Sequence, residues 1–224
     1  MRVVAERQLA AVLGALPATP RVVIGGNYAT PWQALSVLDG SVARCRLFAL
    51  NAQAGMPDRE GVTLESPFIG PGMRERVRLR YFPCRLSLVP ALFSSALVPD
   101  AVLVQASMPS GGTVSLGPEV NVLPAAIEAV RSRGGPVIAQ LNPHVPDTYG
   151  DAELSCDVID YAIEADAPLA SPPPRPAAPS SAVIGERVAA LIGDGATLPP
   201  ASGRFLTRSW PGCAAGAGLA CGRR

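Results

Sequence analysis

Glycines and small polar residues follow two short apolar runs, at points where backbone N–H groups could hold an anion. Gly25, Gly26 and Asn27 come directly after the first run, and a glycine-containing turn at 107–117 comes after the second. Because a strand-to-helix turn of this kind can direct backbone N–H groups at a phosphate, both turns are candidate binding sites. The alternative interpretation is that the glycines serve only tight turns or close packing.

Asn142 follows a third apolar run, at 137–139. In open α/β sheets, ligands bind at the carboxyl ends of parallel strands. This rule selects the turn at 25–27, the turn from Ser107 to Gly117, and Asn142 as one candidate cleft. The sequence has no GxGxxG motif, so it lacks a dinucleotide fingerprint and an unrelated nucleotide-binding domain is disfavoured.

His144 is the single histidine and lies in a proline-rich loop, with Asp147 nearby. A histidine in such a place can act as a general base, but no serine or cysteine nucleophile is marked by a local motif. A loop residue without a catalytic role is therefore the favoured interpretation. No metal site is predicted, because there is neither a second histidine nor a cysteine cluster.

The segment 102–142 predicts the elements that position these residues. An apolar, β-branched run is followed by a glycine-rich turn, and Leu123, Ala126, Ile127 and Val130 then share one helical face before the next strand. A β-α-β crossover implies parallel strands covered by helices. The predicted fold is therefore a three-layer α/β domain with an open, mostly parallel sheet.

The other patterns continue this alternation of helix and strand. Segment 51–72 is predicted to be a loop because it is interrupted by prolines, and 171–181 (SPPPRPAAPSS) is predicted to be an exposed proline-rich loop. The predicted helices are 9–16, 32–38, 86–93 and 184–193, and the predicted strands are 22–24, 44–50, 76–81 and a short element at 158–163.

Composition narrows the class of protein. Of the 224 residues, 48% are hydrophobic, and 19 basic residues balance 18 acidic ones, which argues against nucleic acid or a membrane surface as the main partner. No apolar run reaches the length of a membrane span. The five cysteines form no CxxC pair, so a cytoplasmic protein with reduced thiols is expected.

Several motifs occur in the order found in one enzyme family. VSLG and VN in the second turn, VIAQLNP after the helix, the upstream GMRERVRLRYFPCRLSLVPALF and the downstream TYGDAEL resemble the acetyl-CoA hydrolase/CoA-transferase family. Members include 4-hydroxybutyrate and butyryl-CoA:acetate CoA-transferases. From about Gly25 to Leu198 the chain is similar to the N-terminal domain of such an enzyme.

The resemblance implies an activity and a set of partners. An enzyme of this family moves CoA between an acyl-CoA and a small carboxylic acid through a covalent intermediate on a glutamate, or releases free CoA when water is the final acceptor. Coenzyme A thioester enters as a substrate, and no permanently bound cofactor is expected. Ser115 and Gly117, in VSLG, are the preferred cleft residues. Glu119 and Glu128 are the nearest carboxylates, but neither matches the family's nucleophile, and Glu128 is expected on a solvated helix face.

The segment 199–224 has no helical or alternating pattern and is dense in Gly, Ala, Arg and Cys. Read from one base earlier, the codons of residues 201–213 permit Gly-Ile-Gly-Ala-Leu-Pro-Asp-Ala-Val-Leu, which resembles the CoA-contacting loop that the family has here. The codons of 219–224 then permit a Ser-Glu, the family's usual nucleophile motif. We therefore expect residues 1–198 to be the CoA-transferase domain and 199–224 to be an out-of-frame tail.

Two functional hypotheses follow. In the first, the chain is a truncated CoA-transferase or acyl-CoA hydrolase that is inactive alone, because the catalytic glutamate and the CoA-binding glycine loop are missing. In the second, it is a non-catalytic domain of the same fold that binds CoA, or that pairs with a separate C-terminal half. A homodimer is also compatible with the sequence.

Overall fold

A computed structural model describes residues 1–171 and 179–193. Residues 1–171 form one unit, and a second unit begins at Pro172. No helix in these ranges is both long and apolar enough to cross a bilayer. The helices are α1 (Glu6–Gly14), α2 (Trp32–Ser41), α3 (Val89–Phe93), α4 (Leu123–Arg131) and, in the second unit, α5 (Pro179–Ala189).

The strands are β1 (Arg2–Val3), β2 (Arg21–Ile24), β3 (Cys45–Phe48), β4 (Val62–Ser66), β5 (Leu79–Tyr81), β6 (Ala101–Ala106), β7 (Thr113–Ser115), β8 (Val137–Leu141), β9 (Glu153–Ser155) and β10 (Tyr161–Glu164). Eight of them form a parallel main sheet, in the order β1-β10-β8-β6-β2-β3-β4-β5. A separate antiparallel pair, β7 and β9, lies outside it.

The central strands are buried on both faces, which gives the chain three layers. Every residue of β6 is buried. Val102 and Val104 pack in the cluster that contains α3 and α4, whereas Leu103 packs in the cluster that contains α1 and α2. Successive side chains of a strand point to opposite faces, so the sheet is covered by helices on both sides. The predicted three-layer, mostly parallel α/β fold is confirmed.

Helix α4 forms where the apolar spacing predicts it. Its buried residues are those of the predicted face: Leu123, Ala126, Ile127 and Val130. Proline stands in its first turn, where a missing N–H costs nothing. Gly134, with φ +72°, lets the chain turn back towards β8 after the helix ends.

The prediction that 51–72 is a loop is wrong for β4. Val62 and Leu64 are buried, and Glu65 is buried despite its charge because the Arg21 Nε donates to its Oε2 at 2.7 Å. Arg80 reaches Glu65 Oε1 at 3.3 Å from the neighbouring strand. A carboxylate that is paired in this way can occupy a buried strand position. This long-range pairing is not visible in local sequence.

Three further boundaries differ from expectation. The predicted strand at 76–81 is shorter, because only Leu79–Tyr81 pairs with β4. Thr113–Ser115 lies within the predicted turn but forms β7, paired with β9. The predicted loop at 171–181 ends early: Pro179 already begins α5, a position that the fixed φ of proline suits. Residues 172–178 and the expected tail at 199–224 lie outside the described residues.

Candidate functional site

The strands that precede Asn142, Ser107 and Gly25 are β8, β6 and β2, and they are neighbours in this order. The residues that follow them therefore lie at one edge of the sheet. The Gly25 N–H lies 3.4 Å from the carbonyl oxygen of Leu103 on β6, and the Asn142 N–H donates to the carbonyl oxygen of Ala106 at 2.9 Å. Ser107 follows β6 between them. The structure therefore brings together the turn at 25–27, Ser107 and Asn142.

This edge includes the point where strand order reverses. From β2 the chain proceeds to β3, β4 and β5 on one side, and it then returns to place β6 on the other side of β2. Adjacent strands whose connections leave in opposite directions create a crevice at their carboxyl ends, and ligands of open α/β sheets bind there. Gly25 and Ser107 are the first residues beyond the two strands that border this crevice.

The turn at 25–27 is tightly packed. A Cβ on Gly26 would lie 2.3 Å from the carbonyl oxygen of Leu50, and a Cβ on Gly25 would lie 3.1 Å from both the Ala29 carbonyl oxygen and Glu119 Cγ. Asn27 Oδ1 accepts a hydrogen bond from Asn51 Nδ2 at 2.9 Å. Close packing thus explains why both positions are glycine. The backbone N–H groups of Gly26 and Asn27 lie close to the carboxyl group of Glu119.

Glu119 lies against this turn and is 2% exposed. Its Oε1 accepts a hydrogen bond from Asn121 Nδ2 at 2.7 Å, whereas its Oε2 has no hydrogen-bond partner among the described residues. Burial raises the pKa of Glu119, and the Asn121 amide and the backbone N–H groups of Asn27 and Gly26 act in the opposite direction. Sequence analysis names Glu119 without a role; its position inside the family-like turn was the available signal.

The side chain of Ser115 connects two loops. Its Oγ accepts hydrogen bonds from the N–H groups of Gly117 at 3.1 Å and Thr148 at 3.0 Å, and it lies 3.1 Å from Thr148 Oγ1. Thr148 Oγ1 in turn donates to the Gly117 carbonyl oxygen at 2.9 Å. Gly117 has φ +59°, and a Cβ there would lie 2.6 Å from Val145 Cγ1. Ser115 and Gly117 thus hold the turn that carries Glu119.

Ser107 supports the same turn. Its Oγ accepts the Ser115 N–H at 2.9 Å, and its own N–H donates to the Ser115 carbonyl oxygen at 2.8 Å. Ser107 is 4% exposed. These bonds fix the end of β6 to the end of β7, so Ser107 contributes to the site by fixing the backbone around it.

Two buried side-chain amides, Gln105 on β6 and Gln140 on β8, lie within the sheet close to this edge. Gln140 Nε2 donates to Gln105 Oε1 at 2.7 Å, which links β8 to β6. Gln140 Oε1 accepts the N–H groups of Gln33 at 2.9 Å and Ala34 at 3.1 Å, in the first turn of α2. Because the first N–H groups of a helix lack intrahelical partners, Gln140 satisfies two of them. Sequence analysis missed Gln105 and Gln140, since both lie inside apolar strands.

Asn142 extends this cluster towards the edge. Its Nδ2 donates to the Ala167 carbonyl oxygen at 2.8 Å and lies 3.3 Å from Gln105 Oε1, and its Oδ1 accepts the His144 N–H at 3.0 Å. Asn142 is 1% exposed. Its side chain therefore organises the loop after β8 from within.

His144 pairs with a different acid from the one nearest in sequence. Its Nε2 lies 2.8 Å from Asp166 Oδ1, and the two side chains are 47% and 82% exposed. Exposed pairs of this kind contribute little to stability. The pairing with Asp166 arises because β8 and β10 are adjacent parallel strands, so the loops that follow them meet.

Comparisons with known proteins identify relatives that share sequence and fold. The chain is 37% identical to 4-hydroxybutyrate coenzyme A transferase of Clostridium kluyveri over 136 residues, which make up 58% of this chain and 31% of that protein. It is 32% identical to a succinyl-CoA:acetate/propanoyl-CoA:succinate CoA transferase of Fasciola hepatica over 191 residues, or 79% of this chain and 39% of that protein. No family model matches the chain.

Two solved structures establish the shared fold. The 4-hydroxybutyrate CoA-transferase of Porphyromonas gingivalis is 24% identical with a TM-score of 0.70, covering 94% of this chain and 50% of that one. RipA from Yersinia pestis is 19% identical with a TM-score of 0.75, covering 90% of this chain and 51% of that one. The chain thus spans less than half of the two curated relatives and about half of these structures.

A parallel α/β domain with this edge and these relatives defines the class of protein. The chain belongs to the CoA-transferase family and corresponds to its N-terminal domain. The resemblance predicted from VSLG, VIAQLNP and the neighbouring motifs is confirmed. The roles of the individual cleft residues stay predictions.

Replacing Gly26 by Ala is expected to destabilise the domain by about 1–3 kcal/mol, because the new Cβ would overlap the Leu50 carbonyl. Urea unfolding measures the change. Gly40→Ala is the matched control: nothing lies within 4 Å of its Cβ position, and it lies in α2, so the same substitution should stabilise by about 0.5–1 kcal/mol. Equal effects at the two positions would contradict the packing explanation.

Glu119→Gln is expected to remove one component of the pH dependence of stability. Because the pKa of Glu119 is raised in the folded state, the native protein holds this proton more tightly than the unfolded chain, and stability falls as pH rises above the ordinary value of 4.5. A tenfold difference in proton affinity corresponds to about 1.4 kcal/mol. Urea unfolding across this range should show a shallower decline in Glu119→Gln, while exposed Glu128→Gln follows the parent chain.

Proposed function

We propose that this domain forms one wall of the active-site cleft of an enzyme that moves CoA between an acyl-CoA and a small carboxylic acid. The observation that carries the proposal is the site at the point where strand order reverses. There the glycine turn at 25–27, Ser107 and a buried carboxyl group, Glu119, meet at the carboxyl ends of β2 and β6. The names of the curated relatives, all CoA transferases, support the same reaction class.

In this proposal the candidate residues have two different roles: some fix the loops, and others face the substrate. Ser107, Ser115, Gly117 and Asn142 hold the loops in place through the hydrogen bonds described above, which leaves the turn at 25–27 and Glu119 to face the substrate. In the family a glutamate carboxylate attacks the thioester carbonyl, and CoA leaves as thiolate. The thiolate then attacks the glutamyl carbonyl of the resulting anhydride, which releases the donor acid and forms a glutamyl-CoA thioester. The acceptor acid attacks this thioester in the same way, and the reverse steps give the new acyl-CoA and the free glutamate. Water in place of the acceptor acid would make the reaction a hydrolysis.

Coenzyme A is a substrate in this proposal, and the domain needs no resident cofactor. The glutamate nucleophile and the CoA-contacting loop belong to the segment that the family has after the position of Leu198. Residues 1–198 form the CoA-transferase domain, and a C-terminal half, or a second copy of the chain, completes the cleft. We assign the protein to the cytoplasm, in keeping with the three described cysteines, Cys45, Cys84 and Cys156, which are free thiols.

The 224-residue chain tested by itself is expected to be inactive, because the family's nucleophile belongs to the segment after the position of Leu198. Transfer of radiolabelled acetate into acyl-CoA should stay at the level of a buffer blank, with 4-hydroxybutyrate coenzyme A transferase of Clostridium kluyveri as the positive control. Exchange above the blank would contradict the proposed division of labour. In a chimera, residues 1–198 replace the matching part of that relative; exchange by the chimera supports the proposed reaction, and its absence from a folded chimera contradicts it.

The tail at 199–224 is proposed to arise from a one-base change of reading frame. Resequencing the DNA from the codon of Ala190 past the stop, in a fresh isolate, tests this directly. Restoring one base near the codons of Pro199 and Pro200 should open a frame that reads Gly-Ile-Gly, then Pro-Asp, and later Ser-Glu. An unchanged base count with no such frame would instead favour a free-standing domain that binds CoA or pairs with a separate half.

A further inference from the structure

Glu119 is a buried acid that the proposed division of labour leaves without a defined chemical task. One of its oxygens, Oε1, is satisfied by Asn121, but Oε2 has no partner among residues 1–171 and 179–193, although the residue is 2% exposed. Buried polar atoms are almost always hydrogen-bonded, and an exception calls for an explanation such as a missing ligand. Its neighbour Ser115 provides the contrast, since that hydroxyl group is fully used in fixing loops.

The position of the carboxyl group connects it to the candidate cleft. Glu119 Cγ lies 3.1 Å from the position that a Cβ on Gly25 would take, so the acid packs tightly against the turn where Gly25 has no side chain. The N–H groups of Gly26 and Asn27 lie close enough to act on the carboxyl group, although neither makes a hydrogen bond to Oε2. The unpartnered oxygen of Glu119 and two backbone donors are therefore grouped at the carboxyl end of β2.

Burial without a charged partner favours the uncharged form of Glu119. None of the ion pairs among the described residues includes it. The groups that act in the opposite direction are neutral donors: the Asn121 amide from its own loop, and the Gly26 and Asn27 backbone from the turn after β2. Leu123, the first residue of α4, also packs against Gly25. An uncharged carboxylic acid donates one O–H bond, which a carboxylate ligand would accept.

We propose that Glu119, as an uncharged acid, forms a carboxylate-binding site together with the N–H groups of Gly26 and Asn27, and that this site recognises the small acid that accepts CoA. The inference rests on the proposed function. In the bound state Glu119 Oε2–H donates to one oxygen of the ligand carboxylate, and no covalent bond changes. Glu119 is thereby a specificity-determining residue, distinct from the nucleophile that the family carries elsewhere.

Titration of the purified chain with sodium acetate, followed by ¹H–¹⁵N NMR of the Gly25, Gly26 and Asn27 amides, tests the proposal. Acetate should shift these amides, and its Kd should rise about tenfold for each pH unit above the pKa of Glu119, because the ionised acid both repels the ligand and loses its proton. Titrations start at pH 4.5, the ordinary pKa of a glutamic acid, and the concentration of ionised acetate is held constant at every pH. Butyrate, added in parallel, reports how much apolar chain the site admits.

Substitutions separate recognition from structural support. Glu119→Gln keeps an uncharged donor, so it should bind acetate without the pH dependence, whereas Glu119→Ala should weaken binding at least about tenfold at every pH, as loss of a hydrogen bond to a charged group does. Glu128→Gln, on the exposed side of α4, should titrate as the parent chain does. Thermal unfolding of each variant shows whether the domain is still folded.

Three results would overturn the inference. These are no acetate shift in the parent chain at any pH, a Glu119→Gln variant with the parent's pH profile, or a folded Glu119→Ala variant that binds acetate as well as the parent. Each concerns acid binding by the domain alone. Failure of the wider proposal would appear instead in the exchange assay of the chimera, so the two failures are distinguishable.

Discussion

The parallel pairing of β2 with β6 is the constraint on which the rest of the domain depends. Its register places Val22 opposite Ala101 and Ile24 opposite Leu103, so that strands far apart in the chain lie side by side, and β6 continues to Ala106 beyond the last residue of β2. The Asp100 carboxylate accepts the Arg21 N–H at 2.7 Å just before the pairing begins, which helps to fix that register. A parallel pair cannot be closed by a short hairpin, and here the long connection between β2 and β6 forms β3, β4 and β5 before the chain returns.

That arrangement has a direct chemical consequence. The connections from β2 and β6 leave in opposite directions, and a crevice opens beyond the two strand ends. Residues from distant segments, among them Glu119, pack against the turn that follows β2. Glu119 packs closely against Gly25, and the Leu50 backbone packs closely against Gly26, where neither glycine has a side chain. The loop that carries Glu119 is in turn held by the hydroxyl groups of Ser107 and Ser115.

Buried polar groups in this domain fall into two kinds. In the first, every partner is supplied by the fold: Gln140 links β6, β8 and the start of α2, and Glu65 is held by Arg21. Such networks fix a unique arrangement, since each unpaired member would carry a desolvation penalty. Glu119 is the second kind, because one oxygen remains without a partner among the described residues. The contrast separates a residue that supports the fold from one suited to bind a ligand.

The comparison with CoA-transferases bears on how the described part of the chain is built. The chain spans less than half of the length of its two curated relatives. Within residues 1–171 the strand ends are buried, and the loops that follow them are linked by side-chain hydrogen bonds. Fixed loops of this kind suit the proposed role, which is to position a substrate.

The amino-acid sequence alone was sufficient for the fold class, the family and most helices and central strands. Apolar spacing at 123–130 and β-branched runs at 22–24 and 102–104 are local signals of burial, and they specify secondary structure directly. The same strand-end rule selected residues 25–27, Ser107 and Asn142, which the structure does bring to one edge. Strand β4 escaped sequence analysis, because Glu65 is tolerated in a buried strand only through Arg21, a partner from β2.

Tertiary structure alone decided what each of those residues does. Ser115 and Asn142 became structural supports because their partners, Thr148 and Ala167, arrive from later loops. Glu119 became the distinctive group because Gly25 leaves room for it and no described residue satisfies its Oε2. Local sequence encodes which segments are buried, but hydrogen-bond partners and the environment of a carboxyl group depend on segments that only folding brings together.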